Sequence, residues 1–217
     1  QGRSIQIQKL FESPNPDLTK AREWLQQIEE TTKRIAKIVN SMRSVARDGK
    51  LDRLEEVPLF QIIEDVMAIS RERFRSNKVE FKLDKNLEDV RILCRPVQMS
   101  QVFLNLLQNA LDAIQELKDR WVEVHYHSHS NYDEISVVDS GKGIPNHIAE
   151  KIMQPFFTTK ANRQGTGLGL SISRKIIESH GGQLLIDADH PYTRFVIQIP
   201  KLKSITSSSK EANSVPT

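Results

Sequence analysis

Two asparagines and an aspartate lie near a cluster of glycines in the second half of the sequence. Asn105 and Asn109 begin and end the segment NLLQN, Asp139 opens DSGKG, and GTGLG occupies residues 165–169. Glycine has no Cβ and tolerates positive φ angles, so such a cluster lets the backbone approach a ligand closely. Bare N–H groups just before a helix also form an anion site. The combination predicts a nucleotide site.

The two asparagines are placed to hold the metal of such a nucleotide. Asn109 is four residues after Asn105, so both amides project from one face of a helix. Mg²⁺ takes oxygen ligands and usually only one or two of them from protein, because phosphates and water supply the rest. An asparagine oxygen meets this need without adding negative charge beside a triphosphate. From these residues alone, two buried asparagines that merely cap or cross-link the helix are an equally good interpretation.

Asp139 is a candidate for recognising the base. It follows a run of alternating apolar residues, as at the end of a strand, and glycines follow it. A carboxylate in this place can accept a hydrogen bond from the exocyclic amine of adenine, whereas guanine presents a carbonyl there. The alternative is an ordinary turn aspartate, which is common before glycine.

The glycine-rich segment 165–170 leads directly into a helix that we predict from Leu168. It matches neither the P-loop nor the dinucleotide fingerprint, and we expect phosphates to lie against the N-terminus of that helix. The polar residues of 156–164 predict a mobile flap with two aromatic residues at its hinge, from which Lys160 or Arg163 could reach phosphate. A solvated loop whose cations bind nothing is an equally good interpretation.

Alternating and helical patterns supply the scaffold for these residues. Helices are predicted over 17–48, 59–74, 96–117, 144–153 and 168–179, and strands over 79–83, 90–94, 121–128, 132–138, 183–188 and 194–199. Strand pairs and long helices mix without regular βαβ alternation, so the predicted fold class is α+β, a two-layer α/β sandwich with a mixed sheet. The predicted domains are a helical region over 1–50, a main domain over 51–200 and a disordered polar tail over 201–217.

The first long helix carries a repeated apolar seam. Ile28, Ile35 and Met42 follow one another at intervals of seven residues, and Ile38 and Val45 form a second series. This spacing predicts a coiled coil or a helical bundle. The first residues of the chain would end a preceding helix, and one such hairpin cannot bury both of its faces. We therefore expect a homodimer through the N-terminal helices, with packing on the chain's own domain as the alternative.

Composition argues against other classes of partner. The net charge is only +3, and no basic run with interleaved aromatics occurs, so nucleic acid binding is not predicted. No run of 18 apolar residues is present, so no membrane segment is predicted in this chain. We expect a cytoplasmic location, although the full-length protein could be anchored upstream, and we expect Cys94 to be a buried strand residue. His125, His127 and His129 could share a strand face and bind a metal, but an exposed strand face, or hydrogen bonding within the sandwich, is the better interpretation.

Four segments resemble, in the right order, the asparagine, first glycine, phenylalanine and second glycine boxes of sensor histidine kinases of two-component systems. They are residues 101–113, 138–145, 155–160 and 165–171. The resemblance covers roughly residues 54–200 and implies the Bergerat-type ATP-binding fold of the GHKL superfamily, shared with gyrase, heat-shock chaperone and mismatch-repair ATPases. At Arg95-Pro96 a similar chain would usually have Asp-Pro, which leaves the cap of the following helix in question.

The resemblance implies ATP and Mg²⁺ as cofactors. Asn109 would be the Mg²⁺ ligand, Asn105 a phosphate-side contact and Asp139 the adenine reader. The other cofactor-binding residues implied by position are Asp112, Gly141, Gly143, Ile144, Phe157, Thr158, Thr159, Lys160, Gly165, Thr166, Gly167, Leu168, Gly169, Leu170 and Ser171.

The resemblance also implies a protein-histidine kinase, which transfers the γ-phosphate of ATP to a histidine and onward to an aspartate of a response regulator receiver domain. The first 48 residues resemble the dimerisation and phosphotransfer hairpin, yet the first histidine of the sequence is His125. We therefore expect the acceptor histidine to lie outside this chain, so that the chain alone does not autophosphorylate.

Residue 105 favours a kinase over an ATPase. Relatives that hydrolyse ATP usually have a glutamate at this position, and the amide of Asn105 cannot accept a proton from water at neutral pH. ATP would then be held intact for an external nucleophile. The alternatives are a regulatory nucleotide-binding module without phosphotransfer and a GHKL ATPase or serine kinase.

Overall fold

The computed structural model describes residues 2–12, 16–46, 53–159 and 166–201. Two compact units can be distinguished among them. A helical unit contains the described residues up to 46, and a larger α+β unit contains 53–159 and 167–201. None of the described helices combines the length and apolar character that a bilayer crossing requires. The predicted tail lies outside the described residues, apart from Lys201.

The helical unit consists of the two predicted helices. Helix α1 spans Gly2–Phe11 and α2 spans Leu18–Ala46. Asp17 caps α2, because its Oδ1 accepts the Lys20 N–H at 3.0 Å, which satisfies one of the N–H groups that a helix start leaves unpaired. Ile7 of α1 and Ala21 of α2 are buried.

The apolar seam of α2 is partly exposed within this unit where its side chains are described. Ile35 is 56% exposed, whereas Ile28 is half-buried. The side chains of Ile38, Met42 and Val45 lie outside the described set. An exposed face with a heptad repeat is the pattern of a helix that packs against another copy.

The larger unit is built on a five-stranded sheet with the strand order β2-β4-β5-β7-β6. A separate antiparallel pair joins β1 to β3. The strands are β1 Glu55–Pro58, β2 Glu80–Leu83, β3 Arg91–Cys94, β4 Trp121–Ser128, β5 Tyr132–Asp139, β6 Gln183–Ile186 and β7 Thr193–Pro200. Within the sheet, β2 pairs with β4 in parallel and the other pairs are antiparallel, so the predicted mixed sheet is confirmed.

The helices of this unit are α3 Leu59–Ser76, α4 Pro96–Ile114, α5 Asn146–Ile152 and α6 Gly169–Ser179. Two of them, α4 and α6, pack on the five-stranded sheet and form the second layer. Helix α4 contacts β4 and β5, and α6 contacts β6 and β7. Phe103 and Leu106 of α4 and Ile177 of α6 are fully buried between these layers. The two-layer α+β sandwich predicted from the sequence is therefore the observed fold.

The differences from the predicted elements have local causes. Strand β1 was not predicted because Glu55 and Glu56 break any apolar alternation; pairing with β3 defines it. Helix α5 begins later than predicted because Pro145, in an extended conformation, precedes its first residue. A short 3-10 turn at Lys85–Leu87 also escaped prediction. Cys94 is buried as predicted, and burial raises the pKa of its thiol to about 12.

We predict that the exposed seam of α2 supports reversible dimers. Sedimentation velocity at rising protein concentration should show a growing dimer fraction. The substitution Ile35→Lys should shift the equilibrium towards monomer, because an ammonium group in the seam would have to be desolvated. Gln26→Lys, on the opposite side of the heptad, is the matched control and should leave the dimer fraction unchanged. A strictly monomeric chain at high concentration would contradict the prediction.

Candidate nucleotide-binding site

Asp139 lies at the end of β5 in a buried, polar pocket. The residue is only 2% exposed. Its carboxylate accepts the Gly141 N–H at 2.8 Å and a hydrogen bond from the Thr193 hydroxyl. Burial raises the pKa of Asp139 to about 6, against the lowering effect of these two donors. A carboxylate has more acceptor positions than two donors fill, so Asp139 can accept a further hydrogen bond from a ligand amine.

Gly141 provides the space around this carboxylate. A Cβ at this position would lie 2.6 Å from Asp139 Oδ1 and 2.8 Å from Thr193 Oγ1. Any side chain would therefore displace one of the two groups. The Gly141 carbonyl also accepts the Thr193 N–H at 3.2 Å, which fixes the start of β7 beside the glycine turn.

Thr193 is a site residue that sequence reasoning missed. The register of β5 and β7 places it directly opposite Asp139. No motif surrounds it, and a threonine at the start of an apolar strand carries no signal of its own. Only the pairing of two strands that are distant in sequence shows its role.

The loop before β7 covers the other side of the glycine turn. A Cβ at Gly143, whose φ is +77°, would lie 3.2 Å from the carbonyl oxygen of His190. Ile144 follows and is half-buried. The turn of residues 139–144 is thus held against the 190–193 loop.

Asn105 joins the two helices of the site. Its Nδ2 donates to the Gly169 carbonyl and to Ser173 Oγ, both at 3.2 Å, and its Oδ1 accepts from Gln101 Nε2 at 3.1 Å. The helix cross-link that the sequence left open is therefore present. The phosphate-side contact of Asn105 stays a prediction.

Asn109 and Asp112 continue along α4. Asn109 is half-buried, one helical turn after Asn105. Asp112 is exposed and forms an ion pair with Arg73 of α3 at 3.5 Å. Helix α4 contacts β5, so the helix that carries the two asparagines packs on the strand that ends at Asp139.

A backbone hydrogen bond joins the two ends of the predicted flap. The Phe156 N–H donates to the Gly167 carbonyl at 2.8 Å, and both residues have positive φ angles, +68° and +65°. A Cβ at Gly167 would lie only 2.4 Å from the Phe156 carbonyl carbon. Phe157 is half-buried, and Thr158 and Thr159 are exposed. Lys160, Arg163 and Gly165 lie outside the described residues, so the reach of the flap cations stays a prediction.

The start of α6 offers backbone donors to an anion. Leu168 is its N-cap residue and makes no side-chain cap hydrogen bond. Its first turn carries no acidic residue. Leu168, Leu170 and Ser171 are buried, Ser171 Oγ donates to the Leu168 carbonyl, and Thr166 is half-buried. Helix N-termini of this kind bind phosphate through N–H groups and the helix dipole.

A metal site built from charged side chains is not present in the described part of the chain, where no cluster of three or more His, Cys, Asp or Glu residues could hold an ion. His125 instead contacts Glu123 at 3.1 Å, and His129 stacks on Tyr132. His125 and His127 are exposed, whereas His129 is half-buried. The predicted role of Asn109 as a metal ligand is not tested by this finding, because it would use an amide oxygen.

A buried carboxylate, glycine turns and a helix start beside them, on a mixed sheet, are features of the class of nucleotide-binding α+β domains. Comparisons with known proteins identify the family. Residues 94–203 match the model of the Histidine kinase-, DNA gyrase B-, and HSP90-like ATPase family. The solved catalytic domain of histidine kinase ThkA, in a nucleotide-free form, is 35% identical with a TM-score of 0.61, and the match covers 69% of this chain and 98% of that chain. The chain belongs to this ATPase family and carries the catalytic domain of a sensor histidine kinase.

Longer relatives extend the match. The C4-dicarboxylate transport sensor protein DctB of Rhizobium meliloti (strain 1021) is 30% identical over 181 residues, which are 83% of this chain and 29% of DctB. ThkA in complex with the response regulator protein TrrA is 27% identical with a TM-score of 0.69, over 92% of this chain and 56% of that chain. The chain spans about a third of the length of the first curated relatives that it matches.

We predict that Asp139→Asn stabilises the nucleotide-free protein while weakening ATP binding. Because the folded pKa of Asp139 is about 6 and its ordinary value is 3.8, the native state holds this proton more tightly than the unfolded state. The free energy of unfolding therefore decreases as the pH rises from 3.8 through about 6. The loss at pH 7.5 is at most about 3 kcal/mol. Asparagine keeps an acceptor for the Gly141 N–H without the buried charge.

Thermal unfolding at several pH values from about 4 to 7.5 measures this effect. The Asp139→Asn protein should be more stable than the wild type at pH 7.5, and the difference should shrink towards pH 4. The substitution Asp89→Asn at an exposed position is the control and should change neither stability nor ATP affinity. A loss of stability at pH 7.5 on Asp139→Asn would contradict the assigned cause.

Proposed function

We propose that this chain binds Mg²⁺–ATP and donates its γ-phosphate to a histidine that lies outside the chain. The phosphoryl group then passes to an aspartate of a response regulator receiver domain. Residues 51–200 would form the catalytic domain and residues 1–50 part of a dimerisation and phosphotransfer region. The proposed reaction takes place in the cytoplasm, where ATP is available. The observation that carries this proposal is the buried acceptor at Asp139 beside a helix pair that lacks a general base at Asn105.

Asp139 and Thr193 suit adenine. The buried carboxylate accepts a hydrogen bond from an exocyclic amine, and the Thr193 hydroxyl can both donate and accept. In this buried setting a ligand that presents a carbonyl to Asp139 would leave two acceptors facing each other, which is costly without water. The proposed site therefore selects adenine over guanine.

Asn109 and the start of α6 suit the phosphates. The amide oxygen of Asn109 is a hard ligand of the kind that Mg²⁺ accepts. When bound, Mg²⁺ neutralises phosphate charge and aligns the γ-phosphate for displacement. The N–H groups at the start of α6 and the cations Lys160 and Arg163 would share the remaining charge. Gly165, Gly167 and Gly169 would leave the backbone free to approach the triphosphate.

Asn105 suits a kinase rather than a hydrolase. Its two amide hydrogens are donated to α6 and its oxygen accepts from Gln101, so it serves the packing of the helices. An amide has no basic pair with which to activate water. Phosphoryl transfer depends mainly on alignment and charge neutralisation, so a positioned histidine can serve as the nucleophile without a base at residue 105.

The partners follow from the reaction and the relatives. None of the six histidines of the sequence lies before residue 125, which supports an acceptor on another polypeptide segment. The solved complex of the relative ThkA contains a response regulator, which supports a receiver domain as the final acceptor. The seam of α2 supports a homodimer.

We predict phosphorylation in trans of a histidine-bearing helical hairpin. Mixing the chain with such a hairpin of a histidine kinase and γ-labelled ATP should label the hairpin, because the chain supplies the donor site and the hairpin the nucleophile. The label should be acid-labile, as a phosphohistidine is. A hairpin whose histidine is replaced by alanine is the control and should remain unlabelled. ATP binding without any transfer would contradict the kinase proposal.

A regulatory nucleotide-binding module remains the alternative, because no histidine lies before residue 125. The dependence of ATP binding on Mg²⁺ distinguishes the two. We predict that Mg²⁺ tightens ATP binding by the chain and that Asn109→Ala removes most of this effect, about tenfold in Kd, because one metal ligand is lost. Calorimetry with ATP and ADP, with and without Mg²⁺, measures it. Asn131→Ala in the exposed β4–β5 turn should behave as the wild type. Binding that is indifferent to Mg²⁺ would favour the regulatory module.

A further inference from the structure

The C-terminus of α6 is tied to the start of α4 by a single histidine. His180 follows the last residue of α6, and its Nε2 accepts the Arg95 backbone N–H at 2.9 Å. Its Nδ1 lies 2.7 Å from the Ile176 carbonyl oxygen. A carbonyl only accepts, so Nδ1 carries the hydrogen and Nε2 is the acceptor. Both bonds together require the neutral imidazole.

Arg95 completes the tie from the other side. It is the N-cap of α4, and its own side chain forms no cap hydrogen bond to this helix start. The N–H of an N-cap is commonly taken by a side chain of the same helix; here His180 at the end of another helix takes it. The Arg95 guanidinium also lies 3.5 Å from the Ser179 carbonyl at the end of α6. Arg95 therefore donates two hydrogen bonds to the end of α6, one from its backbone and one from its side chain.

A second tie joins the middle of α4 to the first turn of α6. Asn105 of α4 donates to the Gly169 carbonyl and to Ser173 Oγ of α6. The helices thus run antiparallel and are joined at two separate levels. A helix is stiff over this length, so the position of His180 at one end of α6 affects where the other end lies.

We propose that His180 is a positioning residue for ATP. It holds α6, and with it the glycine turn at Gly167–Gly169, in register with the face of α4 that carries Asn109. The inference rests on the proposed function, because the turn and Asn109 matter in this way only if they bind the phosphates and the metal. His180 does not touch the nucleotide; it acts through the helix that precedes it.

The tie is sensitive to protonation. A proton on Nε2 would place an N–H against the Arg95 N–H and a positive ring beside the Arg95 guanidinium on α4. Among the described residues, the Ile176 carbonyl of α6 favours the charged ring, whereas burial and Arg95 oppose it and lower the pKa of His180 below its ordinary value of 6.5. The neutral ring and the tie therefore persist at neutral pH and are lost as the pH falls below 6.5 through the lowered value.

Two substitutions at His180 distinguish the loss of the hydrogen-bond acceptor from the loss of the ring volume. His180→Gln keeps an acceptor that can reach the Arg95 N–H and does not titrate, whereas His180→Phe keeps a ring without an acceptor. At pH 7.5 we expect His180→Phe to raise the Kd for Mg²⁺–ATP about tenfold, because the Arg95 N–H loses its hydrogen bond to the end of α6. His180→Gln should stay within about twofold of the wild type. His125→Phe on an exposed strand position is the matched control and should bind as the wild type.

The pH dependence gives a readout that a merely structural role would not move. Asp139 and ATP itself also titrate, so the Kd of the wild type is divided by that of His180→Gln at each pH. This ratio should stay near one at pH 7.5 and rise as the pH falls towards 5. A ratio that does not change with pH would overturn the proposal, as would equal affinities of the His180→Phe and wild-type proteins at pH 7.5.

Amide hydrogen exchange tests the tie without nucleotide. In the free protein at pH 7.5, residues 167–173 should exchange faster in His180→Phe than in the wild type or His180→Gln. Unchanged exchange in this segment would overturn the inference even if the melting temperature fell. If the wild type itself failed to bind Mg²⁺–ATP, the proposed function would fail, and the exchange experiment would still decide whether His180 positions the start of α6.

Discussion

The buried carboxylate of Asp139 is the constraint around which the larger unit is organised. An ionised group with little exposure is costly unless donors face it. Gly141 and Thr193 supply those donors, and they can do so only while β5 and β7 keep their register. A slip of one residue would turn Asp139 to the other face of the sheet and remove Thr193 from it. The surroundings of Asp139, the proposed base site, and the pairing of β5 with β7 are therefore specified by the same set of hydrogen bonds.

The helices are arranged by a second set of polar contacts, at Asn105 and His180. Apolar burial packs α4 and α6 on the sheet, but it is non-directional and fixes no exact sliding position of one helix along the other. Hydrogen bonds at two levels do fix it. Asn105, which the sequence suggested as a phosphate contact, cross-links the two helices. The kinase interpretation uses a second property of the same residue, because an amide cannot serve as a base.

Sequence patterns were sufficient wherever the information is local. The period of α2 and α4, the alternation of β4 and β5, and the four motifs with their order could all be predicted, because neighbouring residues carry each signal. Strand β1 could not, since its two glutamates have no apolar rhythm and only pairing with β3 defines it. Thr193 and His180 could not either. Their partners are Asp139 and a backbone N–H at residue 95, and contacts across such separations become visible only in the fold.

The pairing of β5 with β7 has a consequence for the way the chain folds. The hairpin of β4 and β5 is local and can form early. Helices α5 and α6 lie between β5 and β7 in the sequence, so the pairing of β7 with β5 must close a long loop, at an entropic cost. We therefore expect Asp139 to meet Thr193 late in folding. An incompletely folded chain would lack the proposed base site, so ATP would bind the native state alone and would stabilise it by mass action. For this protein the ligand would also act as a check on completed folding.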